Sequence, residues 1–261
     1  MADNEIEYVR IVGDQVIPKF ITKFFQPEHE ELVHGGSVRF GSLEGYRNSE
    51  STIAAMSDQG EGTRSFTIES CRDFSNLDVI TLPGGSRFTN PTVSGFNRAF
   101  VAEQRENANV YCAQPGTYCR INHNHFTKGY ERYPGNPAYT AYVVYDFFKF
   151  CLAVTNSYAN YIREKTLDPS LVSLAIGEVI YDDQYRNQTN HDFPDKKNID
   201  LSNFIDPRTP FVKPTLFGPE NEIRLLLTPK LQQFQNTHIE LRSDAIKQSI
   251  VDKGRHKPLC K

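Results

Sequence analysis

Two glutamates one residue apart stand at the entry to an apolar run in "FGPENEIRLLL", residues 217 to 227. In an extended chain residues two apart face the same side, so Glu220, Glu222 and Arg224 are expected on one face and Asn221, Ile223 and Leu225 on the other. Such a pair can be the working end of a catalytic cleft. The plain alternative is the wet face of an edge strand, its acids paired with Arg224 or Lys213. The same spacing recurs at Glu5/Glu7 and Glu28/Glu30, so the motif takes its weight from context.

Other chemistry-bearing groups are scattered. Cys112, Cys119, His123 and His125 fall near one another, but the gap between the cysteines matches no common zinc knuckle, and no metal is expected. The two histidines, in a Gly/Asn-rich stretch, read as exposed polar residues. Lys128 and Arg132 interleave with tyrosines, a pattern that suits single-stranded nucleic acid and also occurs without such a partner. A nuclease would need acids such as Asp58 and Glu61 beside a lysine such as Lys213, which sequence does not bring together. Neither a G-x-G-x-x-G turn nor a Walker A loop is present, which removes the familiar phosphate cradles.

Composition narrows the class. At 261 residues, with 18 Phe, 13 Tyr and a formal charge of -3, the chain is expected to form one large globular domain rather than a dedicated electrostatic nucleic-acid binder. The acidic opening "MADNEIEYVRIVGD" lacks the apolar core of a secretory signal, and no run reaches the ~18 apolar residues of a membrane span. Five cysteines without a C-x-x-C pair fit reduced thiols, so a cytoplasmic setting without membrane contact is expected.

The elements that must hold the acids follow from periodicity. "FFQPEHEELVHGG" predicts a short helix begun at Pro27 and stopped by Gly35-Gly36, and "SVRFGSL" a strand directly after it. "FTIESC" and "LDVITL" predict strands paired with each other across the turn-prone "RDFSN"; "NRAFVAEQREN" is weakly helical, and "ANVYCA" is a strand. The stretch from Gln114 to Pro137 reads as a long connection. "AYTAYVVYDFFKFCLAV" is two core strands or a strand entering a helix, and "AIGEVIY" is a further strand. Residues 182–210 read as an inserted loop, "HIEL" as a strand, and "DAIKQSIVDKG" as a closing helix capped by Ser243 and stopped by Gly254. Many strands and few helices, without regular alternation, predict an α+β domain with a mixed or antiparallel two-sheet core and short helices.

A turn carrying E-x-E and running into an aliphatic strand, "PENEIRLLL", resembles the active-site turn of mono-ADP-ribosyltransferases of the arginine-serine-glutamate type. Those enzymes also carry an arginine in an early strand after a short helix, as Arg39 stands in "HGGSVRFGSL". A looser likeness is to uncharacterised bacterial and phage proteins with an "F-S/G-S-x-x-x-Y/F" turn and an "F-x-K-P/S" stretch before "E-x-E-x-R", here "FGSLEGY" and "FVKPTLFGPENEIR". The family's middle-strand Ser-Thr-Ser is missing from "VYCAQP", and "VTNSY" offers only Thr155 and Ser157.

The resemblance implies an ADP-ribosyltransferase-like fold and a reaction that consumes NAD. Glu222 would serve the oxocarbenium-like state and hold the ribose hydroxyls, and Glu220 would orient or deprotonate the nucleophile. Arg39 would grip the diphosphate through its planar fork, with Ser42 beside it, and Tyr130 or Tyr133 would stack on the nicotinamide. It further implies a macromolecular acceptor, protein or nucleic acid, in a toxin, effector or phage-defence setting, with an inhibitor or antitoxin as a possible partner. Beside it stands a second reading, a non-catalytic module binding a nucleotide, RNA or protein through its aromatic-rich loop.

Overall fold

The computed structural model describes residues 9–11, 16–48, 62–69, 79–81, 87–89, 99–105, 108–131, 139–165, 168, 172–185, 187–190, 198–200, 208–228 and 238–256. Within them a nine-stranded sheet runs in the order β1 (Val9–Ile11), β10 (Ser173–Glu178), β15 (Ile223–Thr228), β8 (Asn109–Pro115), β2 (Phe20–Phe25), β9 (Ala141–Asp146) and β17 (Ile250–Arg255). Two further strands, β3 (Ser37–Ser42) and β16 (Ile239–Arg242), branch from it. All its pairings are antiparallel except β1 with β10. The chain is thus α+β with a mostly antiparallel sheet.

The branch is the feature that shapes the site. One edge of β8 lies wholly along β15, pairing Asn109–Ala113 with Leu227–Ile223. Along the other edge, β3 takes Asn109 and Val110 while β2 takes Gln114 and Pro115. Neither strand reaches the interval between, so the sheet forks at β8. Backbone groups left over in such a fork need partners. Lys23 supplies one: its ammonium donates to the Cys112 carbonyl at 2.7 Å and lies 5.2 Å from the Tyr111 ring centroid. The two-sheet core expected from sequence is therefore one sheet divided by a fork, with small satellite sheets beside it.

Helix α4 (Phe147–Glu164) covers one face of the sheet. Asp146 caps it, its carboxylate accepting from Lys149 N at 3.1 Å. Phe147, Phe150, Cys151, Val154, Tyr158 and Ile162 recur at helical spacing and are buried. They pack with Ile223, Leu225 and Leu227 of β15, Tyr111 and Ala113 of β8, and Val38 and Phe40 of β3. On the opposite face a smaller cluster joins Leu226, Val110, Ala108, Leu43 and Phe211. No helix among the described residues is long and apolar enough to cross a membrane.

Several local expectations give way. The strand β4 (Thr63–Glu69) does not pair with β5 (Val79–Thr81); it lies between β7 (Ala99–Arg105) and β12 (Asn187–Asn190), while β5 pairs with β6 (Arg87–Thr89) and β13 (Asn198–Asp200). Residues 99–105 are thus a strand and not a helix. The span 182–210, read as a loop, holds the two strands β12 and β13, so its polar composition hides sheet pairing. The connection after β8 carries a helix, α3 (Arg120–Glu131). The C-terminal helix α5 stops at Asp244–Gln248, and the β-branched Ile250 and Val251 begin β17 instead. The helix expected near Pro27 is present, a 3-10 turn at Pro27–His29 running into α1 (Glu30–His34).

Candidate active site

The two glutamates meet, but not along a strand. Lys213 ends the two-residue strand β14 (Val212–Lys213), which pairs in parallel with β11 (Ile180–Tyr181). Pro214 follows and keeps Lys213 extended. The chain then makes a 3-10 turn, Thr215–Glu220, tied by Phe217 N to Pro214 O at 3.0 Å. Asp183 accepts from Thr215 N at 2.9 Å and from the Thr215 hydroxyl. The turn ends at Asn221, which has φ 44° and ψ 61°, the one non-glycine residue with positive φ among those described. Asn adopts this left-handed conformation more readily than most residues. The reversal swings Glu220 back toward Glu222 and aims both at Lys213.

The side chains form a closed electrostatic set. Lys213 Nζ lies 2.5 Å from Glu220 Oε2 and 3.2 Å from Glu222 Oε2. Arg224 Nε lies 3.2 Å from the same Glu222 oxygen, and Arg224 Nη1 donates to Pro210 O at 2.5 Å. The backbone is fixed on all sides: Glu222 N donates to the Tyr181 hydroxyl at 2.9 Å, Val179 N to Glu222 O at 2.9 Å, and Gln114 Nε2 to Glu220 O at 2.7 Å. The charges are withdrawn from water, with Arg224 1 %, Glu220 7 % and Lys213 8 % exposed. The edge-strand alternative therefore fails in its premise. The acids do pair with Lys213 and Arg224, but β15 lies between β10 and β8 and the pairs are buried.

Burial disfavours both carboxylates, yet their environments drive them apart. For Glu220, burial and the adjacent negative charge of Glu222 outweigh Lys213, and its carboxyl rises to about 7. For Glu222, burial is overcome by Lys213, Arg224, a hydrogen bond from Glu220 and the charge of Lys23, which hold its carboxyl down at about 2. The pair therefore holds one proton near neutrality, and Glu220 is the member that gains and loses it. Nearby groups are kept neutral. Burial and the Glu222 charge push the Cys112 thiol up to about 12, and the same two causes raise the Tyr181 phenol.

The remaining sequence candidates are dispersed. Arg39 is exposed on β3 and makes no ion pair with either glutamate among the described residues. It does project from the same face as the site. It precedes Gly41 by two residues, and Gly41 pairs with Val110, two residues before Cys112, the partner of Arg224. Arg39 thus lies across the fork from the carboxylates. Ser42 is buried and accepts from Gly45 N at 2.8 Å, a cap on α2 (Leu43–Asn48) that commits its hydroxyl locally. Tyr130 lies on α3, but its side chain is outside the described set, and Tyr133, Arg132, Asp58 and Glu61 fall outside the described residues.

His123 departs from expectation: it is fully buried, while His125 is exposed as expected. Its Nε2 donates to Tyr139 O at 2.5 Å, its ring stacks on Phe24 at 4.1 Å, and the His256 ring lies 4.3 Å away. The two imidazoles meet by their rings, which is packing and not chelation. No three His, Cys, Asp or Glu side chains gather to hold a metal among the described residues. Sequence reasoning passed over Lys23, Gln114 and Tyr181, and it named Lys213 as a counter-ion of the acids, as the lysine a nuclease would need and within the F-x-K-P stretch. A lysine flanked by Pro214 in the strand before the acidic turn was the available signal. Comparison with family models, curated proteins and solved structures gives no match.

Proposed function

We propose that this chain is an NAD-consuming mono-ADP-ribosyltransferase acting on a macromolecule, with an ADP-ribosyltransferase-like arrangement of the forked sheet. The observation that carries the reading is the buried glutamate pair with opposed proton affinities at the fork of β8. Two neighbouring carboxyls whose environments separate them in this way carry an acid–base assignment. Glu222, ionised throughout the physiological range, stabilises the positive charge that develops on the ribose as the nicotinamide bond breaks and nicotinamide leaves with the bonding electrons. Glu220, poised near neutrality, takes the proton from the incoming nucleophile. Arg39, on β3, meets the diphosphate in this reading with the planar set of donors on its guanidinium. The acceptor, protein or nucleic acid, then approaches over the turn Thr215–Glu220. A bacterial toxin or phage-defence role with an inhibitory partner accords with this activity.

The test uses NAD labelled in its nicotinamide ring, incubated with the full chain and cell extract. Nicotinamide release is expected, and Glu222→Gln is expected to lower it by about a hundredfold or more, the scale of a lost charge stabiliser. Glutamine retains the shape and an acceptor for Lys213 and Arg224, and an unchanged unfolding midpoint would assign the loss to chemistry. Absence of release with every extract, or release indifferent to the substitution, would leave the binding-module reading in its place.

A further inference from the structure

Beside the charged set stands a hydroxyl with a hydrogen still to place. Tyr181 ends β11 and is the register partner of Lys213, so it enters the site from the strand against which the lysine is held. Glu222 N donates to the phenol oxygen at 2.9 Å, and there the phenol is an acceptor. A tyrosine hydroxyl also carries one hydrogen of its own to donate. Among the described residues no group accepts it. Burial and the Glu222 charge raise the phenol, so that hydrogen stays in place throughout the physiological range.

The choice of partner for Glu222 N is informative. On its carbonyl side the same residue is satisfied backbone to backbone, by Val179 N at 2.9 Å. A carbonyl at Glu222 N would satisfy the amide and leave nothing over. The phenol satisfies it and leaves a donor, anchored on the residue whose carboxylate is an ionised acceptor. Of the donors Lys213, Arg224 and Tyr181, the first two are buried and drawn to Glu222 Oε2 at 3.2 Å, while Tyr181 is half-buried. A neutral donor thus stands beside a charged acceptor on the open side of the set.

We infer that Tyr181 and Glu222 together read a hydroxyl of the substrate sugar, the phenol donating to its oxygen and the carboxylate accepting its hydrogen. A hydroxyl is donor and acceptor at once, and this pair is its complement. A carboxylate alone takes only the hydrogen and leaves the lone pairs of the sugar oxygen unmet. With Tyr181 both are met, so a sugar lacking that hydroxyl leaves two polar groups of the protein unpaired and is rejected. The inference rests on the proposed transferase reading for the identity of the sugar, the ribose of NAD from which nicotinamide departs.

The test uses carbocyclic NAD, whose nicotinamide-bearing ring lacks the ring oxygen and is not cleaved, and its counterpart without the 2′-hydroxyl on that ring. Calorimetry measures the binding of each to the full chain. Wild type is expected to hold the hydroxylated compound about tenfold tighter or more, and Tyr181→Phe to cut that preference by about fivefold. Phenylalanine also takes the acceptor from Glu222 N, so carbon-13 NMR follows the glutamate carboxyls through pH in both proteins. A reduced preference with the carboxyls titrating as in wild type upholds the hydroxyl contact. An unchanged preference, equal weakening of both compounds, or a preference lost together with a displaced titration reduces Tyr181 to a prop for the Glu222 backbone and overturns it.

Nicotinamide release from NAD separates this result from the transferase reading. Release by a wild-type chain that does not distinguish the two compounds overturns the hydroxyl contact and leaves the transferase standing. A preference that depends on Tyr181 in a chain that never releases nicotinamide does the reverse. A chain that binds neither compound overturns both.

Discussion

Two buried polar clusters flank the turn that presents Glu220, and they resolve burial in opposite ways. On one side Glu220, Glu222, Lys213 and Arg224 stay ionic because each charge meets its opposite within hydrogen-bonding range. On the other side, under α3, His123 and His256 lie ring to ring with Phe24 and Tyr118 and are pushed toward neutrality, both chiefly by burial. Desolvation thus meets counter-charge in one place and rings, a phenol hydroxyl and a carbonyl in the other. Withdrawal from water alone does not make a reactive site. The opposed charges that split the carboxyl affinities do, and they are confined to the fork.

The comparison is broken most severely by removing a buried counter-charge from the ionic cluster. Arg224→Leu leaves Glu222 buried with one cation in contact in place of two and is expected to cost about 3 to 5 kcal/mol of stability by denaturant unfolding, the scale of breaking a buried pair.

A second measurement sharpens the contrast through pH. Glu222 is depressed when folded, so its contribution is present above about 4.5 and is lost as pH falls toward about 2. Glu220 is raised when folded, so the native state binds the extra proton between 4.5 and about 7, and its contribution declines as pH climbs through that window. The histidines are lowered when folded, so their contribution grows as pH rises to 6.5. Unfolding free energies measured across this range should show Glu220→Gln steepening the rise toward neutrality, because the opposing slope is gone. A Glu220→Gln protein with the wild-type slope would mean that the two clusters do not differ as described.

The smallest effect belongs to the neutral cluster. His123→Phe preserves the stack on Phe24 and removes one donor to Tyr139 O, so a loss of about 1 kcal/mol is expected, with nicotinamide release unchanged. A large loss of activity in that variant would place the imidazole in the chemistry and erase the distinction.

The acids were legible from their spacing and from the aliphatic run behind them, because a strand entry has a strong local signature. So were β3, β8 and the passage from β9 into α4, where Val, Tyr and Phe give way to helical spacing. Arg224 and Lys213 were readable as partners of the acids, but the way they are brought there was not, and Lys23 was not readable at all. Lys213 lies seven residues from Glu220 but reaches it through a turn closed by a left-handed Asn221, and Lys23 arrives from β2, held on the carbonyl of Cys112, 89 residues further along the chain. Such contacts depend on topology, to which periodicity is blind. The helix α3 was obscured by His, Asn and Gly, which are weak helix formers. Its packing against the Thr215–Glu220 turn and on Phe24 overrides that preference.

The fork at β8 has a mechanical consequence. The β3–β16 limb and the β2–β9–β17 limb share β8 as a common spine, and the ammonium of Lys23 rivets the slot between them at the Cys112 carbonyl. Because that same ammonium helps keep Glu222 charged, anything that parts the limbs also dims the field inside. The width of the slot and the strength of its electrostatics are thereby geared to each other through one side chain.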